Sequence, residues 1–245
     1  MNSLSHILHT ISYMALPLLF AMVLHEYAHG WMADKCGDHT AKLQGRLTMN
    51  PMAHIDLFGT IIMPLLCLVL PGSFLLGWAK PVPIDPRNMS HPRRDMALVA
   101  AAGPGMNLVL AVGSALLLAV LFAVDPTLSI RNAGEGQPAS SLSTIFLLPV
   151  AVMAFYSVLI NVFLCLFNLI PIPPLDGGRI LVSLLPPQPA MALARLEPYG
   201  MLILVGLLVF DKELRVIHTI TSTFATGLSG TILSTALGLG GGGGQ

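Results

Sequence analysis

Charge is what this chain has least of. Its 245 residues include only 12 basic and 12 acidic side chains, 10% of the total, and they balance to a net charge of zero. A soluble domain carries roughly a quarter of its residues as charges. With a mean hydropathy of +0.77, the composition excludes a soluble globule and reads as an integral membrane protein. Basic runs are absent, as is any interleaving of basic with aromatic residues, which excludes a nucleic-acid partner. Cysteine is scarce too: Cys36, Cys67 and Cys165 are odd in number and show no C-x-x-C spacing. They imply neither a disulfide framework nor a cysteine metal site. The N-terminus lacks a positive n-region and a small-residue cleavage site, so the first apolar stretch reads as a retained span rather than a signal peptide.

Against that background one stretch stands out, His25-Glu26-Tyr27-Ala28-His29. From Ile7 to Trp31 the only formally charged residue is Glu26. On a helix His25 and His29 are four residues apart and share a face, so both imidazoles can ligate one Zn²⁺. Glu26 sits about 100° round the helix from His25, close enough to serve as a base. H-E-x-x-H alone is common in soluble helices. At membrane depth a carboxylate and two imidazoles cost several kcal/mol unless paired or metal-bound, so a functional site outweighs a polar knot joining helices.

Hydropathy divides the remainder into an all-α membrane bundle. Core helices are expected at about 8–33, 96–124 and 143–169, with Pro17 inside the first and Gly37 ending it. The apolar stretch 57–78 is long enough to span but is broken by Pro64 and Pro71-Gly72. Polar loops precede and follow it, and Gln44 to Thr48 and Lys80 to Ile84 read as short extended strands. One or two further membrane segments are expected in Tyr199 to Phe210 and Val216 to Gly238, and 240–245 is a disordered Gly-rich tail. The whole of 1–239 reads as one membrane-embedded domain.

Several polar residues lie in these apolar spans. Asn107 follows Gly103-Pro104-Gly105-Met106 and can bond across helices; Asn161 and Asn168, seven residues apart, share a face. His54 lies in the first polar loop. Asn107, Asn161 and His54 are candidates for contacting substrate, with helix packing and an ordinary loop histidine left open beside that role. A catalytic zinc usually has three protein ligands, one more than the two histidines. Asp176 is the best third on offer, since Pro171, Pro173 and Pro174 unwind the chain before it and Gly177-Gly178 allow a tight turn beyond it. Alone, it could equally cap the next helix.

H-E-Y-A-H in the first span, Gly103-Pro104-x-x-Asn107 in a middle one and Asn168-x-x-Pro171-x-Pro173-x-Leu175-Asp176-Gly177 together resemble the site-2 protease family over residues 25 to 178. The resemblance implies one zinc per chain held by His25, His29 and Asp176, a catalytic Glu26, and Asn168 near the bound substrate strand. It implies cleavage of membrane-spanning helices, typically of single-pass proteins already trimmed by another protease, in a lipid membrane. No PDZ-like domain interrupts the spans and no cystathionine-synthase-type module follows them, so regulation by such modules is not carried over. The rival classes are a metal-ion transporter, which predicts repeated halves that the sequence lacks, and an inactive relative, which predicts a lost ligand or base.

Metal geometry then constrains topology. His25 and His29 lie towards the C-terminal end of the first span, and Asp176 follows the C-terminal end of the third. Those two helices must run in one direction, which requires an odd number of crossings between them, so 57–78 is expected to be re-entrant. Lys35, Lys42, Arg46, Lys80, Arg87, Arg93, Arg94 and Arg179 then share a side against Arg131 on the other. That pattern places the zinc-proximal face on the cytoplasmic side of a prokaryotic inner membrane.

Overall fold

The computed structural model describes residues 3–62, 77–128, 130 and 142–200, with isolated helical positions at 202, 203, 206, 227, 229–231 and 233. Its helices are α1 (Ser3–Lys35), α2 (Thr40–Leu43), α3 (Pro92–Val124), α4 (Leu142–Asn168), α5 (Asp176–Leu184) and α6 (Pro187–Ala194). Among the described residues three stretches are long and apolar enough to cross a membrane: Ile11–Lys35, Pro92–Val124 and Ile145–Asn168. They match the expected core helices. The extra turn at the start of α3, Pro92–Asp95, is one that hydropathy discounts for its charge. Pro92 opens α3 and Asp95 accepts from the His91 N–H at 2.7 Å, so a cap rather than apolarity sets that start. At the other end of α1, Gly37 takes φ +104° and the Asp38 N–H returns to the Ala33 carbonyl at 2.9 Å, which closes the helix.

The chain groups into two compact units, one of Met1–Ala21, Asn107–Phe167 and Phe210–Gln245, the other of Met22–Met106 and Asn168–Val209. In the first, α3 and α4 pack through Ala111 and Ala115 against Val158 and Val162, and through Leu118, Leu121, Ala151 and Ala154. Small residues one turn apart on α3 let the helices approach closely. Two polar contacts then tie them: Asn107 Nδ2 donates to Asn161 Oδ1 at 2.9 Å, and Ser114 Oγ donates to Ser157 Oγ at 2.7 Å. In the second unit Ala33, Met89 and Val99 form a small core with Met32, Cys36, Ile84 and Met96, and α5 packs on α6.

The ends of the 57–78 stretch lie together. The Trp78 N–H donates to the Gly59 carbonyl at 3.1 Å, Thr60 Oγ1 donates to the Trp78 carbonyl at 2.9 Å, and the Lys80 N–H reaches the His54 carbonyl at 2.8 Å. Residues 63–76 lie outside the described residues, as do the Gly-rich tail and most of the expected C-terminal segments.

The short strands expected in the polar loops do not form among the described residues. At 44–47 the backbone N–H groups turn back onto α2, with Gln44 donating to Thr40 at 3.1 Å and Arg46 to Ala41 at 2.8 Å. At 80–84, Pro81 and Pro83 remove two donors. The backbone groups around them are taken by side chains instead, with Arg46 Nη2 donating to the carbonyls of Lys80 and Pro81 at 3.1 Å each.

Candidate metal centre

Helix α1 places His25 and His29 one turn apart, and both are buried. The loop after α4 brings the third group. Prolines prevent α4 from continuing past Asn168, and the chain turns through bonds from the Ile172 N–H to Ile170 and from the Leu175 N–H to Ile172. Asp176 then starts α5, 6% exposed. A Cβ at Gly177 would run into the carbonyls of Leu169 and Ile170, so the fold-back that presents Asp176 requires that glycine.

Three potential ligand side chains converge. His25 Nε2 and His29 Nε2 are 3.0 Å apart, His25 Nε2 is 3.2 Å from Asp176 Oδ2, and His29 Nε2 is 3.4 Å from Asp176 Oδ1. A tetrahedral zinc with N and O ligands at about 2.0–2.1 Å holds them roughly 3.3 Å apart. The donor set fits on chemical grounds as well. Burial pushes the Asp176 carboxyl up, but the hydrogen bonds and charge of His25 and His29 outweigh it and hold the group below the usual carboxylate range. Asp176 Oδ2 is buried and, beyond the contact with His25 Nε2 at 3.2 Å, meets no hydrogen-bond donor among the described residues, a deficit that a cation would satisfy.

Outer contacts set the ligands. His29 Nδ1–H donates to the Val99 carbonyl of α3 at 2.7 Å, which leaves the Nε2 lone pair facing the cluster. The imidazoles lie directly on Gly103 of α3, where a Cβ would meet His29 Nε2 and, at 2.6 Å, His25 Cε1. Glu26 is half-buried beside them, and its Oε2 accepts from the Val82 N–H at 3.0 Å. The segment carrying Val82 is pinned at its ends by Arg46 and by Asp38, which accepts from the Asp85 N–H at 2.7 Å. A groove of about 710 Å³ opens beside it, lined by Val82, Ile84, Met96, Pro173, Val182 and Met191 among others.

Residues 13–209 match the model of peptidase family M50. The chain belongs to that family. It is 38% identical over 200 residues to "Putative zinc metalloprotease YwhC" of Bacillus subtilis, covering 80% of each chain. It is 33% identical over 192 residues to "Putative zinc metalloprotease Rip2" of Mycolicibacterium smegmatis, covering 78% of this chain and 64% of that one. The Mycobacterium tuberculosis H37Rv protein of the same name is 32% identical over 189 residues. No solved structure matches. The protein is therefore a zinc metalloprotease of the M50 family, and with its three apolar helices a multi-pass membrane protein. The resemblance to site-2 proteases is borne out at this level.

Of the residues singled out in the sequence, the structure gathers His25, His29 and Asp176 and sets Glu26 next to them. Asn168 ends α4 within the same compact unit. Asn107 and Asn161 belong to the other unit and hydrogen-bond to each other. His54 is buried and donates from Nε2 to the Thr48 carbonyl at 2.7 Å, outside the three-ligand cluster. Sequence reasoning missed Val99 and Val82, which act through backbone atoms and leave no trace in side-chain identity. It found Gly103 only as part of a small-residue motif.

Proposed function

We propose that this metalloprotease hydrolyses peptide bonds inside transmembrane segments of single-pass membrane proteins, ones already shortened by another protease. The observation that carries the reading is the position of the ligand cluster: His25 and His29 lie on a helix apolar enough to cross the membrane, and all three ligands are buried. In this reading His25, His29 and Asp176 hold one zinc, which supplies a Lewis acid that polarises the scissile carbonyl and activates water. Glu26 takes the water proton and returns it to the leaving amine. The substrate helix must unwind to expose a peptide bond. Among the described residues the Val82 carbonyl and Ile84 N–H carry no hydrogen bond, so this stretch offers an edge to which an extended substrate strand can add, with Asn168 holding its backbone. The positive-inside pattern supports an inner-membrane protein with this site nearer the cytoplasmic face.

The test is cleavage of a panel of reconstituted single-span substrates by the wild type and by Glu26→Gln, with zinc measured in both. The variant keeps the side chain's shape and cannot accept the proton. It should retain zinc and lose about 10³-fold or more in turnover. Near-normal turnover would remove Glu26 from the mechanism, and activity confined to soluble peptides would remove the intramembrane substrate.

A further inference from the structure

Glu26 and Gly30 are four residues apart on α1, so they occupy one face of the helix. One residue meets both. Val82 donates its N–H to Glu26 Oε2 at 3.0 Å, and its Cγ1 lies where a Gly30 side chain would begin, 2.9 Å from the position a Cβ would take. Gly30 is buried, and the same Cβ would also crowd Leu47 Cδ1 at 3.2 Å. Val82 stands between two prolines, so its own N–H is the only donor from Pro81 to Pro83. Glu26 Oε1 carries no hydrogen bond among the described residues.

We infer that Gly30 is a notch in α1 that seats the Val82 side chain, so that the Val82 N–H fixes one carboxylate oxygen of Glu26 and leaves the other as the proton acceptor. Gly30 and Val82 are positioning residues acting through Glu26. The inference rests on the reading of Glu26 as the base. A carboxylate on a flexible stem loses orientation unless one oxygen is held, and proton transfer in the transition state is sensitive to displacements of about 1 Å. Because the donor is a backbone group, its place is set by what surrounds Val82. The bare Cα at Gly30 is therefore a sequence requirement of the base even though it touches neither metal nor substrate.

The prediction is a loss and a rescue. Gly30→Ala adds a methyl that pushes Val82 away; kcat should fall about 10- to 100-fold, with KM within about twofold and zinc at one per chain. Val82→Ala keeps the N–H and removes the methyls that a Cβ at position 30 would strike, but it also empties the notch, so by itself it should lower kcat, though by less than Gly30→Ala does. In the double variant Gly30→Ala with Val82→Ala most of the lost kcat should return. Loss without rescue, loss accompanied by zinc depletion, or no loss at all would each overturn the inference. A readout free of turnover protects it if Gly30→Ala misfolds. The Val82 amide should be protected from hydrogen exchange in the wild type and exchange at least about tenfold faster in Glu26→Ala; equal rates refute the bond. Glu26→Gln in the same assays separates the two levels, because an active Glu26→Gln undoes the base itself, whereas an inactive one beside an unimpaired Gly30→Ala undoes only the notch.

Discussion

Two glycines of α3, two residues apart, should respond oppositely to the same substitution. At Gly103 an added Cβ would stand 2.6 Å from both His25 Cε1 and His29 Cε1, whereas carbon atoms in contact sit at about 3.5–4.0 Å. About 1 Å must therefore be found. The imidazoles cannot retreat freely, since both are buried and His29 is tied to the Val99 carbonyl of the same helix. Either α3 shifts or the rings turn out of line with Asp176. Overpacking of that size costs about 1–3 kcal/mol of stability, and misdirected ligands cost zinc affinity about 10- to 100-fold. At Gly105 nothing lies within 4 Å of a built Cβ. There alanine should be neutral or stabilising by up to about 1 kcal/mol, because it is the better helix former. The assay is zinc affinity by chelator competition in detergent, with thermal unfolding of the same samples. Wild-type zinc affinity in Gly103→Ala, or equal damage from Gly105→Ala, would refute the packing of the imidazoles against α3.

Four further outcomes follow from the same geometry. Asp176→Ala removes one of three protein ligands; if apparent zinc binding is worth about 12 kcal/mol, roughly a third of it, some 10³-fold in affinity, should be lost, and stoichiometric zinc after dialysis would reduce Asp176 to a helix start. Asn168→Ala should impair cleavage with zinc retained, and unchanged kinetics on an unwound peptide and a full helix alike would remove it from substrate binding. Asp38 is fully buried and accepts from Thr40, Asp85 and Asn88; burial pushes its carboxyl up, but those bonds outweigh it and hold the group below its ordinary value. A lowered folded-state pKa stabilises at pH above the unfolded value of about 4 and is lost as pH falls through the folded one, so Asp38→Asn should flatten the acid limb of the unfolding curve, and an unchanged limb would contradict it. Finally, Leu43→Cys and Arg87→Cys, both highly exposed, should be labelled from the same side of sealed vesicles in a background without native cysteines; labelling from opposite sides would exclude the re-entrant segment.

The parts of this protein legible in sequence are those written in side-chain spacing. Two histidines one turn apart, a carboxylate after a proline-broken helix end and three apolar runs are local patterns, and they placed α1, α3, α4 and the residues of the His25, His29 and Asp176 cluster. The strands expected at 44–48 and 80–84 rested on local pattern too, yet tertiary partners decided them. Gln44 and Arg46 found acceptors on α2, and the carbonyls of Lys80 and Pro81 found Arg46. The support of the site was not legible because it runs through backbone atoms distant in sequence. His29 finds the carbonyl of Val99, and Glu26 the N–H of Val82, which no residue type announces. Gly103 and Gly30 were visible as glycines; what makes them necessary is the side chain each one faces.

The scarcity of charge has a structural counterpart. Backbone outside a helix still needs polar partners, and several of this chain's few charged side chains supply them. Arg46 takes the carbonyls of Lys80 and Pro81, Asp38 the N–H groups of Thr40 and Asp85, and Asp56 that of Gly59. Asp95 takes the His91 N–H, Arg93 the carbonyls of Ser183 and Leu185, and Asp125 the Thr127 N–H. Glu26 belongs to the same series through Val82. The carboxylate assigned the proton-transfer role is thus also the anchor for an irregular stretch at the edge of the groove. The hydrogen bond that orients Glu26 also helps to hold that stretch, which Arg46 and Asp38 pin at its ends, so a disturbance around Val82 reaches the Glu26 carboxylate directly.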